Sequence, residues 1–210
     1  RLRTVTGVQT CALPISLVIH GLSAQHEFAY DRAVMSHEPW RWISNHWVHW
    51  SDSHLFWSAG MFLLLSIACE LVNRTQWSVA TAASTIAIPL GLFVATPGLR
   101  TYGGLSGIDS ALVFLLLAQI GANAWRNDET RTLIATAGIA GGFFAKIVYE
   151  LIADAAFFAG NSGGMFPVPA AHLVGAAIGV AVGLWPHCSR QISSAIMANR
   201  SLAHAEGRTP

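Results

Sequence analysis

Gly103-Gly104-Leu105-Ser106-Gly107 opens an apolar stretch, residues 105–125, that is long enough to cross a lipid bilayer. Ala170-Ala171-His172-Leu173-Val174-Gly175 lies near the start of another such stretch, residues 169–185. Polar and ionisable groups at membrane depth are costly, so a serine and a histidine placed there are functional candidates by default. The fold follows from how many stretches of this kind the chain contains.

Of 210 residues, 53% are hydrophobic and 11% charged, against about 25% charged in an ordinary soluble domain. A bilayer core asks for roughly 20 mainly apolar residues per helix. Residues 54–72, 77–96, 105–125, 133–158 and 169–185 meet or approach that length, and 16–22 reads as the remnant of an earlier helix. The expected fold class is therefore all-α, a polytopic membrane helix bundle of six transmembrane helices with the first truncated. These stretches are apolar on nearly every face, so periodicity does not mark an inward stripe.

Residues 5–15 (VTGVQTCALPI) resemble the translated read-through of a sequencing adapter. Residues 1–15 are accordingly set aside as an artefact, with residues 16–188 expected as the transmembrane domain and 189–210 as a polar cytoplasmic tail. Net charge is +1, which argues against nucleic acid as a partner. Cys11, Cys69 and Cys188 show neither paired spacing nor a metal-site pattern.

Arginine in the connectors sets the orientation. Arg74, the turn 126–131 and the tail with Arg190, Arg200 and Arg208 fall on one side if the helices alternate. Gly98 to Gly104, with a single arginine at Arg100, and the glycine-rich turn 160–167 fall on the other. The positive-inside rule puts the first group in the cytoplasm and Trp77, Trp125 and Trp185 at that interface. Residues 25–53 then lie outside, where Trp40, Trp42, Trp47 and Trp50, interleaved with Glu38, Arg41, His46 and His49, suit a segment in the interface plane with its charges toward water.

In this topology Ser106 and His172 begin their helices on the same side and at similar depth. A helix N-terminus offers unpaired backbone N–H groups, which can stabilise a developing oxyanion. A serine with a histidine base is the minimum for nucleophilic acyl transfer. Both residues also have a packing reading, in which glycines spaced by four, such as Gly175 and Gly179, let helices approach closely. Lys146, Glu150 and Asp154 share one helix face, where structural pairing is the expected role. His46, His49, His54 and His172 allow a metal-dependent hydrolase as a rival, although their spacing lacks the helical pair of a zinc protease. No metal or cofactor is expected.

GGLSG followed by AHLVGAAIG resembles the catalytic Ser–His dyad of rhomboid intramembrane serine proteases. Upstream, YDRAVMSHEPWRWISNHWVHWSDSHLFWS (residues 30–58) is similar to the rhombosortase branch of that superfamily. The resemblance covers Tyr30 to about Leu184. It implies a rhomboid-like fold with Ser106 as nucleophile and His172 as general base, then acid. It also implies that His54 helps form the oxyanion hole, that Ser58 stands where an asparagine donor is usual, and that Gly104 and Gly107 support the loop. Glu70 matches a polar group that braces its helix, and Ser110 stands where many rhomboids carry an aromatic residue stacked on the histidine. The implied function is an intramembrane serine endopeptidase in a bacterial inner membrane. Its partners would be the lipid bilayer and a membrane-anchored protein substrate, such as one bearing a C-terminal sorting tag. The alternative is a catalytically inactive rhomboid-like protein that binds membrane helices.

Overall fold

A computed structural model describes residues 7–153 and 168–185. The expectations for Asp154, for the turn 160–167, for Cys188 and for the tail 189–210 lie outside the described residues. The chain is mostly helical: α1 (Gly7–Gly21), the short α2 (Gln25–Phe28) and α3 (Arg41–Ser44), α4 (Asp52–Ala95), α5 (Ser106–Arg126), α6 (Thr130–Ala153) and α7 (Pro169–Trp185). Three of them, α4, α5 and α6, are long and apolar enough to cross a membrane, and α7 is a shorter apolar helix.

At 44 residues, α4 would be about 66 Å long if straight, twice a bilayer core. It is instead two helices joined at Asn73, whose φ of −157° and ψ of 98° are not helical. The Asn73 side chain accepts a hydrogen bond from the Gln76 backbone N–H at 3.1 Å, capping the second arm. The two arms match the stretches expected at 54–72 and 77–96.

The centre of the bundle is α5: 44% of its most apolar window is buried, against 6% for α6. A row of small residues explains how α7 reaches it. A Cβ on Gly175 would overlap the Gly107 carbonyl, one on Gly179 the Ala111 carbonyl, and one on Gly183 would meet the Ala118 side chain at 2.7 Å. Each contact lies about one turn further along both helices, so α5 and α7 run parallel in tight register. Ring contact between Phe114 and Phe143 (5.3 Å) and the approach of Gly121 to Thr136 run in opposite directions along α5 and α6, which are thus antiparallel. The second arm of α4 closes the bundle. Gly91 faces Val174, and at the far end Gln76 donates to the Val182 carbonyl at 2.6 Å while accepting from Gln119 at 2.8 Å.

A layer of short elements caps the end where α5 and α7 begin. Strand β1 (Tyr30–Asp31) pairs antiparallel with β2 (Thr101–Tyr102), Tyr30 opposite Tyr102. Arg41 is only 6% exposed, because it pairs with Glu38 and donates to the carbonyls of His26 (2.7 Å) and Ala29 (2.8 Å). His46 and His49 are also buried. The layer therefore departs from an interfacial segment with its charges toward water. Its polar groups turn inward because backbone carbonyls there need donors.

Trp77 differs as well. Expected at the cytoplasmic interface, it is 1% exposed and belongs to the main core, whereas Trp125 and Trp185 are exposed. It sits on the inward face of the second arm of α4, where burial of a large ring contributes more than an interfacial position.

Candidate functional site

Ser106 is the first residue of α5. The preceding loop is pinned from the capping layer, since the Gly104 N–H donates to the Asn45 carbonyl at 2.9 Å and Gly103 packs on Val48. Gly104 has φ +130°, which only glycine adopts without strain, and a Cβ there would strike the His54 ring at 2.9 Å. His54 thus lies against the loop two residues before the candidate nucleophile. Its ring stacks edge-on with His49 at 4.9 Å, and its backbone N–H is capped by the Ser51 hydroxyl at 3.2 Å.

The Ser106 side chain lies within hydrogen-bonding reach of the Tyr102 hydroxyl, which also donates to the Gly104 carbonyl at 3.3 Å. Burial pushes the Tyr102 phenol up, so it remains a neutral donor. Ser110 donates back to the Ser106 carbonyl at 2.8 Å.

His172 is buried in the first turn of α7, directly after Ala171. The Ala171 carbonyl would stand 3.2 Å from a Cβ on Gly107. The α5–α7 seam thus brings the residues adjoining Ser106 and His172 together at one end of the bundle. Among the described residues, no hydrogen bond joins the Ser106 hydroxyl to His172.

Two neighbours of His172 come from α6. The Phe143 ring is edge-on at 6.4 Å, so an aromatic partner arrives from another helix where Ser110 had left the position without one. Glu150 Oε2 lies 3.3 Å from His172 Nδ1, while Glu150 Oε1 accepts from Lys146 Nζ at 2.7 Å. The shared face of Lys146 and Glu150 was visible as a spacing of four; the approach of Glu150 to the histidine was not.

Ser58 donates to the Asp109 carboxylate at 3.5 Å, and both residues are buried. Its hydroxyl is directed to α5 rather than held open toward Ser106. Gly107 serves the helix seam through its carbonyl, and the Tyr102 hydroxyl lies close beside it. Glu70, 8% exposed, faces Arg74 at 3.6 Å.

His46 and His49 are buried within the capping layer. His46 Nε2 donates to the Thr85 carbonyl at 2.9 Å. Burial holds the His46 imidazole down at about 4 and that of His49 at about 3, with the nearby His54 adding to the latter. Among the described residues, no three His, Cys, Asp or Glu side chains are grouped to hold a metal ion.

Compared with known families and with curated proteins, the chain matches no family model and no curated sequence.

Proposed function

We propose that this chain is a rhomboid-type intramembrane serine endopeptidase acting on membrane-anchored proteins. In this reading the two arms of α4, with α5, α6 and α7, are five spans, and the host membrane is a bacterial inner membrane. The supporting observation is the parallel α5–α7 seam, which sets Gly107 against Ala171 and so gathers Ser106 and His172 at one end.

A substrate helix would unwind at that end and present a peptide carbonyl. Ser106 Oγ attacks the carbonyl carbon as its proton passes to His172 Nε2. A C–O bond forms and the carbonyl oxygen becomes an oxyanion. The unpaired N–H groups at the start of α5 and the adjacent His54 are the available donors. Collapse breaks the C–N bond, and His172 returns its proton to the leaving amine. Water, deprotonated by His172, then attacks the acyl ester and releases the new carboxyl terminus together with Ser106. A C-terminal sorting tag anchored by one helix is the substrate class that the resemblance suggests.

The orientation of Ser58 toward Asp109 favours the second reading, an inactive helix-binding relative, because it removes one oxyanion donor. A fluorophosphonate probe on detergent-purified protein separates the two. Labelling of the parent that is lost in Ser106→Ala and in His172→Ala supports the peptidase. A folded parent that resists the probe supports the inactive relative.

A further inference from the structure

We infer that Glu150 is a positioning residue that converts the Ser106–His172 pair into a three-membered Ser–His–Glu arrangement, with Lys146 fixing the orientation of the carboxylate. The inference rests on the peptidase reading for its chemistry, but its geometry stands alone.

The side chains of Glu150 and His172 are 3% and 9% exposed. Their contact joins the C-terminal part of α6 to the first turn of α7, across a gap in sequence that only the folded bundle closes. Two groups face the carboxylate: Lys146 Nζ donates to Oε1, and His172 Nδ1 lies 3.3 Å from Oε2. A buried carboxylate facing one imidazole nitrogen makes that nitrogen the proton-bearing one. Nδ1 then carries the hydrogen and Nε2 is left with a lone pair. That is the tautomer a general base needs, because Nε2 must accept the Ser106 proton while Nδ1–H stays bonded to a carboxylate that does not itself take the proton. Phe143, edge-on to the ring, restricts its rotation from the same helix.

Lys146 gives the arrangement a property a simple triad lacks. Its ammonium donates only, so it demands an acceptor at the Oε1 position. In Glu150→Gln the amide oxygen must therefore face Lys146 and the NH₂ must face Nδ1. Nδ1 is then forced to accept, the proton moves to Nε2, and the base is disabled although side-chain shape is kept. Removing Lys146 as well frees the amide to turn over and present its oxygen to Nδ1–H.

The test follows fluorophosphonate labelling rates in the purified full chain. Glu150→Gln should label Ser106 about 10²–10⁴-fold more slowly than the parent, the size expected when a general base is held in the wrong tautomer. The double variant Lys146→Met/Glu150→Gln should recover at least about tenfold of that loss. A purely structural role predicts that labelling rises only as far as thermal stability does, whereas the tautomer predicts recovered labelling at temperatures where both variants are fully folded. Parent-like labelling of Glu150→Gln, or a double variant no faster than the single one, overturns the inference. A second measurement is independent of activity: nitrogen-15 spectra of histidine-labelled parent, with the His172 signal assigned by its loss in His172→Ala. The expected tautomer carries hydrogen on Nδ1, and hydrogen on Nε2 overturns the inference. If the parent does not label at all, the peptidase reading fails and the spectrum alone decides the Glu150–His172 relationship.

Discussion

His46 Nε2 donates to the carbonyl of Thr85, the acceptor that Pro89 leaves without a helical partner four residues on. One buried side chain of the capping layer thus satisfies the missing hydrogen bond in the second arm of α4 and clamps the layer to the bundle. His46→Ala should cost about 1–3 kcal/mol, the price of an orphaned buried carbonyl. Pro89→Ala in that background should restore much of it, because the helix then supplies its own N–H. Thermal unfolding in detergent of the two variants measures both effects; a His46→Ala protein as stable as the parent would contradict the clamp.

The depressed imidazoles of His46 and His49 make the same layer sensitive to acid. Folded, they titrate at about 4 and about 3, against an ordinary 6.5. Between those values the unfolded chain binds more protons, so stability falls as pH drops. The contribution is complete above pH 6.5, declines from there, and for His46 is lost by about pH 4. For His46 it amounts to on the order of 3 kcal/mol. Unfolding temperatures recorded from pH 7.5 to 4 should show this decline, and His46→Gln, which keeps a donor for Thr85, should flatten it.

Gly175 and Gly138 form a matched pair for testing the α5–α7 seam. A methyl on Gly175 would collide with the Gly107 carbonyl, whereas one on Gly138 meets nothing within 4 Å. Gly175→Ala should destabilise by about 1–3 kcal/mol through overpacking and abolish probe labelling. Gly138→Ala should be neutral or stabilise by up to about 1 kcal/mol. Equal behaviour of the two variants would mean that the seam is not close-packed.

Lys146 neutralises a carboxylate that is almost wholly buried. Lys146→Met leaves Glu150 with one partner fewer and should cost about 3–5 kcal/mol. The Lys146→Met/Glu150→Gln protein, with neither charge, should regain most of that stability. Chemical denaturation of both proteins checks the ordering, and a double variant less stable than Lys146→Met would refute it.

Asn73 is the point at which a 44-residue helix becomes two. Asn73→Ala removes the cap on Gln76 and should cost about 1 kcal/mol, read as a fall in unfolding temperature with the fold retained. Unchanged stability would show that the break does not depend on the cap.

Hydropathy was enough to place the long helices, because the energy of burying roughly 20 apolar residues is a local sum along the chain. The pairing of Lys146 with Glu150 was legible for a similar reason, since a spacing of four sets two side chains on one helix face. Nothing comparable announced that Arg41, His46 and His49 would be buried, or that Trp77 would turn into the core. In stretches apolar on every side, no stripe shows which face turns inward. The direction of Ser58 toward Asp109 was hidden for the same reason.

By itself, then, the sequence determined the helical elements, the break near Asn73 and the chemical types available at the starts of α5 and α7. The tertiary structure alone decided that Gly175 would lie on Gly107, that His46 would answer the carbonyl left by Pro89, and that Glu150 would face His172. Those relationships depend on how rigid helices dock. Docking is set by glycine-to-backbone contacts between residues far apart in the chain, which no window along the sequence can see.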